Sequence, residues 1–231
     1  MGYSDPPFAI LPAAYEDIDT LLDIYFHAFA ADGVYPYLYP GLSREEKIAF
    51  EASGPKRVFK EQPWAKLWKV VEGKSEKIVA WARWHSPRPL TAEEREQVGD
   101  PDLFDQTIPE GSNMPLCEDL FAKLEWAEHT FVDREHGLFL NYLVVHPDYQ
   151  GRGLSKLLLN VGLEEADRIG ASCFVVSTVA GEGVYRKVGF KEIDRFVVDT
   201  RPWGGEEVPW FCMRREPRSA EKVKRDERLS N

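Results

Sequence analysis

The 231-residue chain reads as an α/β protein, and three features of one stretch carry that reading. Leu138–Val145 is almost wholly apolar and rich in branched and aromatic residues, as expected of a strand covered on both faces. Gln150–Ser155 follows with two glycines in a short turn. From Leu154 the apolar residues Leu157, Leu158, Val161 and Ile169 recur at roughly helical spacing among Glu164, Glu165, Asp167 and Arg168. Gly170 is placed to end that helix, and Ser172–Thr178 supplies a second buried strand.

A strand, a glycine-bearing turn and a helix start together make an anion site. The first turn of a helix has N–H groups without intrahelical partners and a partial positive charge, and glycine lets a phosphate approach closely. Arg152 and Lys156 add positive charge at the rim. Pro147 cannot donate to a ladder, so the first strand stops near His146. Gly-x-Gly in this position also serves as a plain turn. A dinucleotide fingerprint would need glycine where Lys156 stands, and a Walker loop would need Gly-Lys-Ser/Thr, which is missing.

Gln150-Gly151-Arg152-Gly153-Leu154-Ser155 resembles the acetyl-CoA loop of the GNAT (Gcn5-related) N-acetyltransferases. That loop has Gln or Arg, two free positions, Gly, one free position, then Gly or Ala; Ser155 stands in the last small position. Thr178, Tyr185 and Gly189-Phe190 match a second family pattern, with Thr178 where Asn is more usual. The resemblance is strongest over Leu138–Ile193 and extends over nearly the whole chain. It implies a single mixed, mostly antiparallel sheet flanked by helices, with acetyl-CoA in the cleft where the fourth and fifth strands splay. It further implies that Leu143, Val144 and Val145 meet the cofactor along the strand. Gln150, Gly151, Arg152, Gly153, Leu154, Ser155 and Lys156 would hold it with Thr178, and Tyr185 would protonate the departing sulfur. Taken alone, Tyr185 reads as a packed helix residue; its register relative to the loop and to Gly189 gives it the other role.

Formal net charge is −10, which argues against nucleic acid as a partner, because a phosphate-binding surface wants a basic excess. It is compatible with a cationic amine, and more simply with solubility. Cys117, Cys173 and Cys212 are distant in sequence and odd in number, so buried thiols in a reducing compartment are expected. No apolar run approaches membrane-spanning length, and the N-terminus lacks the basic and apolar regions of a signal peptide. These features point to a cytoplasmic location, with the nucleus as the alternative, and to a monomer or homodimer. No His-x-x-x-His or Cys-x-x-Cys spacing supports a metal site.

Along the chain, Phe8–Leu11 reads as a strand and Ile18–Phe29 as a helix opened by Glu16-Asp17. Ala31–Leu42 reads as an aromatic loop. Ser43 with Glu46 forms a capping box for a helix expected to run to about Ala52. Lys66–Val71 and Lys77–His85 read as a hairpin. The proline-rich stretch 86–119, with a short helical patch near Ala92–Val98, looks like an insertion, and Leu116–Phe131 like an amphipathic helix. Lys191–Val198 and Trp210–Arg214 complete the strands. The expected organisation is one domain over 1–214 and a charged tail over 215–231.

Acetyl transfer to an amine needs a proton taken from the amine, a stabilised carbonyl oxygen and a proton for the thiolate. Phe139 stands where some relatives carry a strand Glu. Asn141, on the same face, can orient a water but cannot take a proton. Glu135, His136 and His85 are remote candidates for the base, and bulk solvent is another. The missing Glu leaves room for a module that holds CoA without catalysis, whereas Tyr185 favours an enzyme. Tyr35, Tyr37, Trp203 and Glu206 are expected to line the acceptor side. Aromatic walls with a carboxylate suit a small-molecule amine with an apolar body, a peptide amine being the alternative.

Overall fold

The computed structural model describes residues 7–96 and 108–218. Among them one sheet is built from β1 (Phe8–Pro12), β2 (Ala65–Glu72), β3 (Lys77–His85), β4 (Leu138–Val145), β5 (Cys173–Ser177), β6 (Lys191–Asp199) and β7 (Glu207–Arg215). The spatial order is β1-β2-β3-β4-β5-β7-β6. Every neighbouring pair is antiparallel except β4 and β5, which run parallel. The helices are α1 (Ile18–Ala28), α2 (Tyr35–Leu38), α3 (Arg44–Glu61), α4 (Ala92–Glu96), α5 (Met114–Phe131), α6 (Leu154–Ile169) and α7 (Val179–Lys187). Among the described residues no helix is long and apolar enough to cross a membrane.

The central strands are mostly apolar because both faces of the sheet are covered. Side chains alternate across a strand. Leu138 and Leu140 of β4, Cys173 and Val175 of β5, and Phe211 and Met213 of β7 pack with Leu158, Leu159 and Leu163 of α6. The intervening Phe139, Phe174, Trp210 and Cys212 pack with Leu116, Leu120 and Ala127 of α5. On that second face, α1 covers Leu67, Trp81 and Val144.

The buried stripe of α6 differs from the one expected. Leu154, Leu158, Leu159, Leu163 and Ala166 are buried, while Leu157 and Ile169 are 38% and 42% exposed. The face is selected by Gly162, which lies flat on the Trp84 indole; a Cβ there would overlap the ring. Trp84 Nε1 also donates to the Leu158 carbonyl at 3.3 Å. Apolar periodicity alone left two adjacent faces open, and the bulky partner on β3 decides between them.

Several expected boundaries move. The Ser43–Glu46 capping box forms as read, but α3 continues through Gly54 and Pro55 to Glu61. Pro55 has no N–H to offer the carbonyl of Glu51, yet burial of Ala52, Gly54 and Val58 holds the second half in the helix. Tyr35–Leu38 is a short helix within the expected loop. α5 begins at Met114, and Leu116 and Leu120 are core residues, so the expected insertion ends sooner. β7 extends to Arg215, whose buried guanidinium pairs with both Asp167 carboxylate oxygens at 2.8 and 2.7 Å. Arg215 therefore belongs to the fold rather than to the tail; residues 219–231 lie outside the described residues, as do 97–98 of the helical patch.

Gly162→Ala is expected to destabilise the protein although alanine favours helix by about 1 kcal/mol. Overpacking against Trp84 costs about 1–3 kcal/mol, so thermal unfolding should show a Tm lower by a few degrees. A rise in Tm would mean that the α6–Trp84 contact is loose.

Candidate functional site

The site begins where two strands separate. β4 and β5 pair only from Leu138↔Cys173 to Leu140↔Val175. On its other side β4 skips a residue: Trp84 opposes Leu140 and Arg83 opposes Tyr142. Asn141 is therefore the extra residue of a β-bulge, which bends the strand. Beyond it β4 pairs with β3 alone, and a cavity of about 420 Å³ opens toward β5. Two bonds set the parity of the exposed edge. His146 N–H donates to Val79 O at 2.9 Å, toward β3, and Val145 O accepts from Gln150 Nε2 at 3.4 Å, away from it. Alternation then turns the N–H groups of Leu143 and Val145 toward the cleft, while the Val144 side chain packs in the core with α1.

The glycine loop forms one end of the cavity. Gly151 and Gly153 hold φ of 74° and 81°, a region glycine adopts without strain. A Cβ on either would meet nothing within 4 Å, so the space beside the loop is open. Gly153 is the N-cap of α6, offers no side chain to its N–H groups, and the first turn has no acidic residue. Gln150, Gly151, Gly153, Leu154 and Ser155 wall the cavity. Arg152 and Lys156 are exposed outside that wall. The Arg152 guanidinium donates to Asp148 O at 2.9 Å and lies 4.7 Å above the Tyr149 ring.

Across the cleft, Thr178 is the N-cap of α7 and borders the cavity with Ser177 and Tyr185. Tyr185 is buried, edge-on to Phe190 at 5.7 Å, and its ring leaves no room for a larger residue at Gly181. Burial pushes the Tyr185 hydroxyl well above the usual phenol range, so it holds its proton at neutral pH.

The opposite end is aromatic and acidic. Tyr25, Phe29, Tyr35, Tyr39, Phe50, Phe121, Phe139 and Trp210 contribute rings, and Asp32, Glu51 and Glu128 contribute carboxylates. The Tyr39 hydroxyl donates to Glu51 Oε1 at 3.1 Å. Asn141 Oδ1 accepts from Nε and Nη2 of Arg83, a residue only 2% exposed. A guanidinium can only donate, so the amide oxygen must face it and the bulge side chain is held in one orientation.

Of the four residues expected on the acceptor side, Tyr35 lines this cavity and three do not. Tyr37 packs against Gly205 in the second core cluster. Trp203 sits in the exposed 3-10 turn Arg201–Trp203, and Glu206 N–H and C=O are tied to Thr200 in the tight loop before β7. The remote base candidates also fall elsewhere. Glu135 pairs with Arg95 and exposed His136 with Asp133. His85 borders a separate cavity of about 250 Å³ that shares Glu128 and Phe139 with the first. Sequence reading missed Glu51, hidden on a polar helix, and Glu128, inside an amphipathic one. Arg83 left a signal: it is the lone charge within the apolar run Ile78–Trp84.

Residues 121–192 match the family model described as an acetyltransferase (GNAT) domain. No curated protein matches the sequence. The C-terminal condensation domain of Ebony, solved with β-alanyl-dopamine, is 14% identical with TM-score 0.64 over 90% of this chain and 98% of that one. A Corynebacterium glutamicum structure described as histone acetyltransferase HPA2 and related acetyltransferase is 16% identical, with TM-score 0.57 over 92% and 98%. The protein yncA from Salmonella typhimurium, solved with acetyl-CoA, is 15% identical, with TM-score 0.50 over 91% of this chain and 94% of that one. A GNAT domain model thus matches the segment from α5 to β6, and the chain has the GNAT fold.

The glycine loop makes a direct prediction. Aspartate tolerates the left-handed region better than most residues, so Gly153→Asp should fold while placing a carboxylate where a phosphate would lie. Excess CoA should raise the Tm of the wild-type protein, by the equivalent of about 2.7 kcal/mol at a hundredfold excess over Kd. The variant should lose that shift, and a retained shift would put the anion site elsewhere.

Proposed function

We propose that this chain, an N-acetyltransferase by its GNAT domain and fold, moves the acetyl group of acetyl-CoA to the primary amine of a small molecule with an aromatic or otherwise apolar body. One observation carries the reading: a single cavity runs from the glycine loop, past the parted strands, to an end walled by rings and carboxylates. Ring faces and anions both favour an ammonium group. That end is enclosed by residues of α1, α2, α3, α5, β4 and β7, which suits a compact acceptor better than a peptide. The β-alanyl-dopamine held by the Ebony domain is an acylated arylalkylamine, in keeping with an acceptor of this shape.

The residues present fit acetyl-CoA. Gly151, Gly153, Leu154 and Ser155 would hold its pyrophosphate, with Arg152 and Lys156 adding charge at the rim and Thr178 facing them across the cleft. Leu143 and Val145 would engage the pantetheine arm through their backbone. When bound, the cofactor supplies an activated acyl carbon. The chain supplies the rest. The cleft-facing N–H groups of β4 are donors for charge developing on the acyl oxygen. Tyr185, still protonated at neutral pH, is the donor to the departing sulfur. Asn141, oriented by Arg83, presents its amide at the bulge where the amine enters. The aromatic walls exclude water around the reacting groups.

Thiol release from acetyl-CoA should be measured against polyamines, arylalkylamines, aminoglycosides, amino acids and short peptides. Arylalkylamines should be turned over best; turnover of peptides with no small amine accepted would overturn the acceptor assignment. Tyr185→Phe should keep the CoA-induced rise in Tm and slow the chemical step on the order of 10²-fold. An unchanged kcat, with chemistry rate-limiting, would return Tyr185 to a packing role.

A further inference from the structure

The geometry points to Glu51 as the group that receives the acceptor amine as a cation and takes its proton. This rests on the amine-acetyltransferase reading above and supplies the base that β4, with Phe139 in place of a carboxylate, does not carry.

Glu51 sits on α3 in the wall of the acceptor end and is only partly exposed. It lies one turn before Pro55, which has no N–H to offer the Glu51 carbonyl. Its Oε1 accepts from the Tyr39 hydroxyl at 3.1 Å. The Arg83 guanidinium, which holds Asn141 at the bulge, is close enough to draw the carboxyl down, so the acid is electrostatically tied to the point where the strands part. Burial raises the hydroxyls of Tyr25, Tyr35 and Tyr39 and the Cys117 thiol, and the charge of Glu51 adds to the rise in each. Asp32 acts on Tyr35, and Glu128 stands between the two cavities.

Burial raises the Glu51 carboxyl above its ordinary range, against the hydrogen bond from Tyr39 and the attraction of Arg83. A base works best when its pKa approaches the working pH, and a half-buried carboxylate among rings is well suited to an ammonium. The proton count closes. The ammonium gives one proton to the Glu51 carboxylate, and the exposed lone pair forms the C–N bond as the C–S bond breaks. The sulfur takes the Tyr185 proton, the nitrogen's second proton restores Tyr185 through solvent, and Glu51 returns its own to bulk water. The net products are the amide, the thiol and one proton.

The test uses the full chain, acetyl-CoA and 2-phenylethylamine, followed by the amine of the panel that is turned over fastest. Glu51→Gln should lower kcat/KM for the amine on the order of 10²-fold or more, leave the CoA-induced Tm rise intact and abolish the acid limb of the pH profile. Tyr39→Phe removes the bond that holds the Glu51 pKa down, so its acid limb should move to higher pH. A readout without turnover comes from the unliganded protein. A carboxyl raised on folding contributes stability below its unfolded pKa that is lost as pH rises through the folded value. Wild-type Tm should fall across that window, and Glu51→Gln should not follow. Wild-type kcat/KM and acid limb in Glu51→Gln, or an unmoved limb in Tyr39→Phe, would overturn this proposal alone. Failure of the wild-type protein to acetylate any amine would overturn the functional reading and this proposal with it.

Discussion

The parting of β4 from β5 at Asn141 is the constraint on which the site depends. A parallel pair held along its whole length would leave no cleft, and every N–H of β4 would be spent in the sheet. Pairing stops at Leu140 because the bulge at Asn141 bends β4 away while β5 ends at Ser177. The backbone edge thereby exposed has both chemical and structural consequences. It turns strand N–H groups toward the cavity, where rigid donors are most effective. It also makes the site depend on neighbours that hold the bent strand in place, chiefly β3 through the register beyond the bulge and α1 through Val144.

Two-sided burial supplies that rigidity. The α6 face is close-packed to the point that Gly162 touches the Trp84 ring, and the N-terminus of the same helix carries the glycine loop. The core thus aims the loop together with the contacts of Gln150 and Arg152, while its two glycines leave the space beside it open. On the other face the packing is looser by design of the fold: α1, α2, α3 and α5 enclose the acceptor end with rings, leaving a cavity where the α6 face has a core.

How much of this could be read from sequence follows from which interactions are local. β4, the glycine turn, α6 and the Tyr185 register are contiguous, and their residue types answer to backbone geometry, so they were legible together. The bulge was not, because it is defined by pairing with β3, far away in sequence. The α6 stripe was misjudged because Leu157 and Leu158 are equally apolar and only Trp84 distinguishes them. α3 was cut short because Gly54-Pro55 is a strong local stop signal that tertiary burial of Ala52 and Val58 overrides. The same error concealed Glu51, since a helix thought to end at Ala52 gives no reason to look for chemistry in its middle. Tyr37, Trp203 and Glu206 illustrate the converse: aromatic and acidic residues in loops look functional, but here they close the turns around Thr200 and Gly205.

The acceptor end is also where the fold accepts instability. Placing Arg83 and Glu51 beside an aromatic cavity removes both from water, which is unfavourable unless each is paired or hydrogen-bonded. The partners are supplied from different elements: Asn141 of β4 receives Arg83 of β3, and Tyr39 at the end of α2 donates to Glu51 of α3. The first bond ties the bulge to the neighbouring strand, and the second ties two helical segments across the cavity wall. A half-buried carboxyl whose pKa is raised by that enclosure is less stable as an anion than one in water, even with Tyr39 and Arg83 favouring the charged form. On the proposed reading, an ammonium bound beside Glu51 would offset that penalty, and the cavity would favour a charged amine over a neutral one.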